Sequence, residues 1–572
     1  MARLPVDPRR FALALLLLLV PVAGAVAATS AAASGAPDRA AVVTRRATLG
    51  EHDRVRVRLA CPARRTCRGR LVLRSLGRGH RSVGRAAFRV RGRRGHVRVH
   101  VSRRLARSVR ARGKRKVRAV ARTQRAGRTR GHARRITIVR RARPAPAPPA
   151  PAPGPAPAQG PNRILADGNR LYDSVTGATF QPRGANYVRL RTAADGTTYH
   201  ATFEPGFYDR ERARLALDGM RAAGYNTVRV FIDPGGTNAA AAHGIGRGMG
   251  TSELVHGPYM DNVADFAVMA ADRGIYLLPS LDQFPQNDLY WGIVARTNGS
   301  EGTPNMAGRN LSYLDKGRVA AKAEYLTQFA AALLARIGRH RASELLAYQP
   351  DNELFFEANQ APYDKLSGTV KPLNGLTYDM SVPAQRQQSA DASLVEYSHR
   401  IRRGLEAGDP DGLMTIGFFT NRAVGKSGFD GFATFCSTSC DPNVDYRVPG
   451  RAASLSIFGA VDFLDIHTYP NASPWNAASD LGTIERNLFK RPYVIGEIGA
   501  LKTVYGGDIV RAAYGMRDAQ IATCGLGAQG WLFWTWDTHE ALASQPLFFH
   551  LDESNGAING QLAPIVRPDP CR

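Results

Sequence analysis

The chain has 572 residues and a formal net charge of +31, with 78 Lys and Arg against 47 Asp and Glu. This length exceeds one ordinary domain and leaves room for a large core plus an appended module. The charge is uneven, because residues 36–143 hold 37 basic and 3 acidic residues whereas residues 144–572 have a balance of −5. This asymmetry excludes a uniformly basic protein and indicates an anionic partner for the first segment alone.

The first 27 residues have the pattern of a secretory signal peptide. Arg9 and Arg10 precede an apolar run at 11–20, and Ala25-Val26-Ala27 provides small residues for cleavage. The run is too short to span a bilayer comfortably, and no later stretch is long and apolar enough to do so. We therefore predict a secreted protein without a membrane span, either extracellular or associated with the cell wall.

The cysteines fit the oxidising compartment that a signal peptide implies. Six cysteines allow 15 pairings, so the sequence leaves their connectivity open. Short spacings favour two local bridges, and a third would tie down the C-terminal tail: Cys61–Cys67, Cys436–Cys440 and Cys524–Cys571. No His cluster with ligand spacing lies nearby, so we expect no metal site.

Residues 36–143 alternate apolar and polar side chains with a period of two. Such alternation over short runs, with glycine between them, is typical of half-buried strands. Six segments show it: RVRVRLA from Arg54, GRLVLRS from Gly69, AAFRVRG from Ala86, HVRVHVS from His96, VRAVART from Val117 and RITIVRR from Arg135. They predict a small all-β, sandwich-like module with arginine at most outward positions.

The partner of this basic module is open to three interpretations. The passage CPARRTCRGRLVLRS loosely resembles small two-cysteine sandwich modules of secreted actinobacterial proteins, which implies no fixed function. Nucleic-acid binding is disfavoured because Phe88 is the only aromatic residue available for stacking on bases. Adhesion to an anionic cell-wall polymer is favoured over nucleic acid, and a solvated spacer is the third interpretation.

A proline-rich segment separates this module from the rest of the chain. Residues 144–158 read PAPAPPAPAPGPAPA, a composition that favours an extended polyproline II spacer. We place a linker at 144–161 and the second domain at 162–572.

Strands and helices alternate after the linker. Helical patterns fall between most of the predicted strands, for example from Asp209 and from Met260, and two of them end on glycine as a helix C-cap does. Eight strand candidates begin at Phe180, Thr227, Ile275, Leu345, Leu413, Val461, Pro492 and Gly530. Eight strands alternating with helices predict an α/β domain of the (β/α)₈ TIM-barrel type.

Candidate residues lie on, close or follow these apolar strands, towards the carboxyl ends where a barrel enzyme places its active site. Packing does not explain them, because an unpaired buried charge costs several kcal/mol, on the order of 3–5. The candidates, in chain order, are Arg229, Asn352, Glu353, His467, Tyr469, Glu497 and Trp534.

Two carboxylates at one barrel mouth, Glu353 and Glu497, suit the cleavage of a glycosidic bond. A retaining enzyme needs them about 5–5.5 Å apart, one to protonate the leaving oxygen and the other to attack the anomeric carbon. We expect Arg229 and Tyr469 to keep Glu497 ionised, and Asn352 to hydrogen-bond the sugar 2-hydroxyl. Water and two carboxylates suffice for this reaction, so no metal and no organic cofactor is implied.

This set of motifs resembles glycoside hydrolase family 5, the cellulase and mannanase family of the large retaining barrel clan. The resemblance covers most of residues 162–540 and rests on PRGANY, GYNTVRVF, DNE, HTY, VIGEIG and WLFWTWD, each at its expected strand. It implies that Glu353 is the acid/base, Glu497 the nucleophile and Trp534 the platform under the reacting sugar. It also implies hydrolysis of a β-linked polysaccharide or oligosaccharide, of β-glucan or β-mannan type, by double displacement.

A second hypothesis makes the protein a catalytically silent carbohydrate-binding or cell-wall adhesion protein on a hydrolase fold. The arginine excess of residues 36–143 supports adhesion. Retention of both Glu353 and Glu497 favours the hydrolase, because a binding protein has no need of the pair.

Overall fold

The computed structural model describes residues 40–140 and 161–572, with gaps at 51–52, 63–65, 77–78, 92–94, 126–127, 194–195, 237–241, 252, 300–304, 429–431, 433–439, 442 and 541–546. These residues belong to two compact units, 40–140 and 161–572. The predicted signal peptide, the predicted linker up to residue 160 and Cys436 lie outside the described residues, so they stay predictions.

The first unit contains each of the six predicted strands. Its elements are β1 (Ala41–Val42), β2 (Arg46–Leu49), β3 (Arg54–Ala60), β4 (Thr66–Ser75), β5 (Ser82–Arg91), β6 (Gly95–Val101), α1 (Arg103–Arg112), β7 (Lys114–Arg125) and β8 (Arg128–Arg140). In β3 the exposed and buried positions alternate strictly, with Arg54, Arg56 and Arg58 facing outward. Arginine alternates with valine and leucine because one face of the strand covers the core and the other meets solvent.

The first unit is a small barrel rather than the predicted sandwich. Its eight strands form one sheet in the order β1-β3-β2-β8-β7-β4-β5-β6, and an additional antiparallel pairing joins β3 to β6. All of its pairs are antiparallel except the parallel pair β2–β8. Period-two alternation does not distinguish the two architectures, because a sandwich and a closed sheet both bury one face of each strand.

The second unit is a mixed α/β domain. Its elements are β9 (Ile164–Ala166), β10 (Leu171–Asp173), β11 (Arg183–Tyr187), β12 (Leu190–Thr192), β13 (Thr198–His200), α2 (Arg210–Ala222), β14 (Thr227–Phe231), α3 (Gly257–Ala271), β15 (Tyr276–Ser280), α4 (Asp288–Asn298), α5 (Leu311–Leu314), α6 (Lys316–Ile337), β16 (Phe355–Glu357), β17 (Thr369–Val370), β18 (Tyr378–Asp379), α7 (Pro383–Gly408), β19 (Thr415–Phe419), β20 (Arg447–Pro449), α8 (Ala452–Phe458), β21 (Phe463–His467), α9 (Ala477–Gly482), β22 (Tyr493–Ile498), β23 (Ala500–Leu501), α10 (Ile509–Gly525), β24 (Trp531–Phe533), β25 (Phe548–Phe549), α11 (Glu553–Gly556) and α12 (Asn559–Leu562).

Strands at seven of the eight predicted positions form one parallel sheet in the order β15-β14-β11-β24-β22-β21-β19. The remaining predicted strand, the fourth in chain order, from Leu345, makes isolated parallel bridges instead. Leu345 and Gln349 bridge to β15, and Tyr348 bridges to Met414, next to β19. This segment therefore links the two edges of the sheet.

The helices follow the predicted pattern and bury their apolar faces against the sheet. In α2, the Asp209 carboxylate accepts hydrogen bonds from the backbone N–H of Glu211 and Arg212, which caps its first turn. Gly224 and Gly274, each with a positive φ, follow the C-terminal ends of α2 and α3. A left-handed residue ends a helix, and glycine adopts that conformation without steric cost.

Two of the predicted disulfides are present, Cys61–Cys67 in the first unit and Cys524–Cys571 in the second. The second bridge fixes the C-terminal tail to α10, as predicted. In the described part of the chain, every helix is too short or too polar to cross a membrane.

Candidate active site

The seven predicted site residues meet at one end of the parallel sheet. Direct hydrogen bonds or apolar contacts join each of them to at least one other, as described below. They meet because parallel strands place their carboxyl ends at the same edge of a sheet. The residues are Arg229 on β14, Asn352 and Glu353 after the bridging segment, His467 at the end of β21, Tyr469 two residues later, Glu497 on β22 and Trp534 after β24.

Arg229 is the centre of the network and is fully buried. Its Nη1 donates to Oε1 of Glu497 at 2.7 Å and to Oδ1 of Asn186 at 2.8 Å. Its Nη2 donates to Oδ1 of Asn352 at 2.6 Å, and its Nε donates to Oε1 of Gln349 at 2.8 Å. A planar guanidinium with five donors can hold all these groups at fixed angles, which a lysine cannot do.

The two glutamates face each other across the site. An oxygen of Glu353 and an oxygen of Glu497 lie within 4.8 Å of each other, which is below the predicted separation of about 5–5.5 Å. Their surroundings differ, because the side chain of Glu353 is 29% exposed and that of Glu497 is 6% exposed. Glu353 therefore meets the solvent side of the site, and Glu497 lies beneath it.

His467 and Tyr469 connect to this pair from β21 and its following loop. The Nδ1 of His467 is 3.0 Å from Oε1 of Glu353 and 3.5 Å from Oε2 of Glu497. The Tyr469 hydroxyl donates to Oε2 of Glu497 at 2.5 Å. Glu497 thus accepts hydrogen bonds from two sides, Arg229 and Tyr469, which fixes the plane of its carboxylate.

Trp534 forms an apolar wall beside the polar network. Its indole ring makes an edge contact with Phe231, with ring centroids 5.7 Å apart, and it packs in one apolar cluster with Tyr469 and Phe548. The guanidinium of Arg229 lies over the Phe231 ring, 4.6 Å from the centroid of that ring. The site thus combines aromatic faces with carboxylates, the combination that sugar rings and their hydroxyls need.

His467 carries a proton well above neutral pH. Burial lowers its pKa, but the charges of Glu497 and Asp465 and hydrogen bonding to Glu353 outweigh burial and raise the pKa to about 10. Burial raises the pKa of Glu353, yet the hydrogen bond and positive charge of His467 reverse that effect and lower it overall. The 3.0 Å contact between His467 and Glu353 is therefore a bond between imidazolium and carboxylate.

The surroundings of Glu497 raise its pKa although Arg229 and Tyr469 both bind its carboxylate, and the expectation that these two residues keep it ionised stays a prediction. Burial raises the pKa of Glu497, and the negative charge of Glu353 adds to the rise, so that His467, Arg229 and the Tyr469 hydroxyl only partly offset it. The sequence did not reveal that Glu497 is almost completely desolvated, which penalises its charged form. The two donors orient this carboxylate more than they hold its charge.

Glu353, His467 and Glu497 are also the residues that could hold a metal ion, as the one such group in the described part of the chain. Their chemistry does not fit that role well. A protonated imidazole has no free lone pair for a metal, and the Arg229 guanidinium already binds the carboxylate of Glu497. The arrangement suits proton transfer and attack by a carboxylate better than metal binding.

Three polar residues of the network were not predicted from the sequence. Asn186 on β11 donates to the backbone carbonyl of Gly496 at 3.0 Å, and Gln349 donates to Oδ2 of Asp465 at 2.5 Å. Asp465 lies two residues before His467 on β21 and points to the same side of the sheet, since side chains alternate along a strand. The sequence signal for Asp465 is its place two residues before His467, the predicted residue at the end of the same strand.

No protein-family model and no curated protein matches the sequence. Among solved structures, an exo-β-1,4-mannosidase from Opitutaceae bacterium strain TAV5 has 16% identity, with a TM-score of 0.42 over 71% of this chain and 62% of that chain. An endo-β-1,4-mannanase from Thermotoga petrophila has 16% identity, with a TM-score of 0.43 over 69% of this chain and 79% of that chain. A glycoside hydrolase family 5 mannosidase from Rhizomucor miehei has 11% identity, with a TM-score of 0.41 over 71% and 98% of the two chains.

The chain is similar to these three solved glycoside hydrolases, each at a TM-score below 0.5. It spans less than two thirds of the length of the Opitutaceae mannosidase. The roles of its residues rest on the geometry of its own site.

Proposed function

We propose that the protein is a secreted retaining β-glycosidase of the family 5 type, which cleaves a β-glucan or β-mannan by double displacement. The observation that carries the proposal is the spacing of Glu353 and Glu497, whose oxygens lie within 4.8 Å. Inverting enzymes separate their carboxyl groups by roughly 6.5–9.5 Å to admit a water molecule, whereas retaining enzymes hold them about 5–5.5 Å apart. The observed spacing supports direct attack by one carboxylate.

The same proposal assigns residues 162–572 to the (β/α)₈ barrel fold. The parallel sheet of seven strands supports it, as does the segment from Leu345 to Gln349, which bridges to β15 and towards β19. Such barrels place their active sites at the carboxyl ends of the strands, where Arg229, His467 and Glu497 lie.

We assign the nucleophile to Glu497 and the acid/base to Glu353. Arg229 at 2.7 Å and Tyr469 at 2.5 Å orient the buried carboxylate of Glu497, which a group that attacks one carbon atom requires. Glu353 is the more exposed of the two, which suits a group that meets first the leaving oxygen and then a water molecule. Because these groups are close and share His467, they titrate as one coupled system.

The reaction then takes two steps. In the first, Glu353 donates a proton to the glycosidic oxygen while Glu497 attacks the anomeric carbon, giving a glycosyl-enzyme and a free leaving group. In the second, water displaces Glu497 and gives up a proton to Glu353, which regenerates the proton donor and frees the carboxylate of Glu497. Trp534 supports the sugar ring, and Asn352, held by Arg229 at 2.6 Å, presents its amide to the sugar 2-hydroxyl.

A panel of aryl β-glycosides and β-linked glucans and mannans tests this function. We expect hydrolysis of at least one, with the first product released as the β-anomer because two displacements retain configuration. Proton NMR during the first minutes of turnover distinguishes it from the α-anomer before mutarotation. An initial α-product contradicts double displacement, and no turnover across the panel favours the silent carbohydrate-binding alternative.

Secretion is part of the proposal. The bridges Cys61–Cys67 and Cys524–Cys571 support an oxidising compartment, since disulfides persist there and are rare in the cytosol. A mature protein found in the culture medium with its N-terminus near residue 28 would establish it.

We further propose that the basic module at 36–143 binds an anionic cell-wall polymer. Its strands place like charges directly opposite one another, as in the pairs Arg56–Arg98 and Arg70–Arg122. Like charges at such positions destabilise a sheet, and an anionic partner removes that penalty. Its one aromatic side chain, Phe88, is buried, so it offers no surface for stacking on bases.

Deleting residues 36–158 tests this division of labour. We expect the truncated enzyme to lose its salt-sensitive retention on an immobilised anionic polymer, since it loses the entire positive excess. Turnover of a soluble aryl glycoside should stay within about twofold of the full-length value, because the deletion leaves the site residues intact. Loss of soluble activity would instead make the module a structural part of the enzyme.

A further inference from the structure

Asp465 is a buried carboxylate beneath the active site that the reaction described above does not use. It lies on β21 and is fully inaccessible to solvent. Its Oδ2 accepts a hydrogen bond from Nε2 of Gln349 at 2.5 Å and lies 3.8 Å from Nε of Arg229. These contacts fix the carboxylate on one side and leave Oδ1 for another partner.

That other partner is His467. Its Nε2 lies 3.7 Å from Oδ1 of Asp465. Among the residues that the structure describes, neither atom has a hydrogen-bond partner. Leaving a buried polar atom unpaired costs about 1–3 kcal/mol, and an ion pair between these two atoms, as imidazolium and carboxylate at 3.7 Å, reduces that cost for both.

The backbone of β22 is shaped to admit this carboxylate. A Cβ atom on Gly496 would lie 1.7 Å from Oδ1 of Asp465 and 2.2 Å from its Cγ. Any side chain at position 496 would therefore displace Asp465, and glycine stands directly before Glu497. The carboxylate thus occupies space beside the active-site strand that only glycine leaves open.

The opposite edge of the His467 ring faces both active-site glutamates. Its Nδ1 is 3.0 Å from Oε1 of Glu353 and 3.5 Å from Oε2 of Glu497. The charged groups around this ring are therefore Asp465 on one side and the two glutamates on the other. Arg229 contacts both Asp465 and Glu497 from β14.

We propose that Asp465 is a positioning residue that keeps a proton on His467, and that Glu353 draws on this proton when it acts as the acid. The inference rests on the proposed function, because it gives His467 a part in the same reaction. In this proposal Asp465, His467 and Glu353 form a row of three contacting groups, and the stored proton is held on His467 between the two carboxylates.

The proton movements balance over the two steps. In the first step the Nδ1 proton of His467 passes to Glu353, which delivers it to the leaving oxygen, so that His467 is left neutral and Glu353 ionised. When water attacks the glycosyl-enzyme, its proton passes to Glu353 and from there to Nδ1 of His467. One proton therefore leaves His467 and one returns, and Asp465 keeps its charge throughout.

The electrostatics of the free site agree with this arrangement. Burial lowers the pKa of His467, but the surrounding carboxylates raise it to about 10. Burial raises the pKa of Asp465, yet the charge of His467 and the contacts with Arg229 and Gln349 lower it overall. The site thus favours an ionised Asp465 beside a protonated His467 at neutral pH.

Nitrogen NMR of the full-length protein labelled with ¹⁵N-histidine tests the stored proton without any assay of activity. The His467 signal, assigned by its loss in His467→Asn, should show both ring nitrogens protonated at pH 8. In Asp465→Asn it should show a neutral ring at that pH, because the variant removes the negative charge that favours the cation. A neutral His467 in the wild type at pH 8 would overturn the proposal, whether or not the variant folds.

Kinetics test the use of the proton. On a substrate with a poor leaving group, Asp465→Asn should move the alkaline limb of kcat/KM to lower pH by at least about one unit, a tenfold loss at fixed alkaline pH. The sign follows because removing a buried negative charge weakens proton binding by the whole cluster. KM should stay within about twofold, since Asp465 does not touch the substrate. A fall in kcat at every pH without movement of the limb would indicate a merely structural role.

Asp409→Asn is the matched control. Asp409 is also buried and accepts a hydrogen bond from the Tyr348 hydroxyl at 3.1 Å, but it has no contact with His467. We expect it to leave both the His467 signal and the alkaline limb unchanged. A protonated His467 in an enzyme that hydrolyses no glycoside would contradict the proposed function alone, whereas an active enzyme with an unmoved limb would contradict the inference alone.

Discussion

Replacing Glu497 with glycine is expected to lower kcat/KM by a factor on the order of 10⁴ or more on every substrate that the wild type hydrolyses. The variant keeps Glu353 and its hydrogen bond with His467, so the acid remains, but no carboxylate reaches the anomeric carbon. It also leaves a cavity where Arg229 and Tyr469 formerly bound the carboxylate. Both of these groups donate hydrogen bonds, so the cavity is suited to a small anion.

Azide should therefore restore partial turnover of an activated aryl glycoside by Glu497→Gly. It enters the cavity, attacks the anomeric carbon once and yields an α-glycosyl azide, because a single displacement inverts configuration. Proton NMR of the isolated product gives the anomeric configuration. A β-azide, or no rescue over a range of azide concentrations, would contradict the assignment of Glu497 as the nucleophile.

Glu344→Gly is the matched control for this variant. Glu344 is likewise buried and bound by an arginine, Arg341, but it precedes the bridging segment and lies at the opposite end of the strands from the site. Its replacement should lower thermal stability without abolishing turnover, and azide should have no effect on it. If both variants lose activity equally, loss of folding rather than loss of a nucleophile explains the result.

The position of the candidate site was predictable in outline, because strand order and strand direction determine it. Arg229 lies within an apolar strand and His467 and Glu497 lie at or near the ends of two others, and parallel strands bring their carboxyl ends together whatever the surrounding loops do. The position of the motif around Glu353 was predictable although the segment before it makes only isolated bridges, because the motif directly follows the apolar run from Leu345. Likewise, the alternation in RVRVRLA identified β3 correctly.

Three other features were not predictable, because they depend on three-dimensional contacts that the spacing of residues along the sequence does not reveal. Alternation does not reveal that β3 pairs with β6, which closes the basic module into a barrel. The raised pKa of Glu497 follows from its burial, and the lowered pKa of Glu353 follows from its closer contact with His467, 3.0 Å against 3.5 Å for Glu497. Asp465 was missed because a buried acid within an apolar strand resembles a structural residue until its partner is known.

Replacing Glu353 with alanine should produce a different pattern from the loss of Glu497. General acid catalysis contributes about 10²–10⁴-fold, and the loss should approach that full range for alkyl glycosides and polysaccharides, whose leaving groups need a proton to depart. A dinitrophenyl glycoside needs little protonation, so its first step should survive in Glu353→Ala. Its second step should slow, because no base activates water, and the glycosyl-enzyme should accumulate.

Two measurements identify this behaviour. A burst of dinitrophenolate equal to the enzyme concentration, with a mass increase of one glycosyl unit on the peptide that contains Glu497, would mark the trapped intermediate. The pH profile for the activated substrate should lose its alkaline limb, since that limb reports a proton held by Glu353 and His467, and Glu353 can no longer deliver it. If activity falls equally for good and poor leaving groups and the alkaline limb persists, Glu353 is not the acid, because only a group that protonates the leaving oxygen makes the loss depend on how readily that oxygen departs.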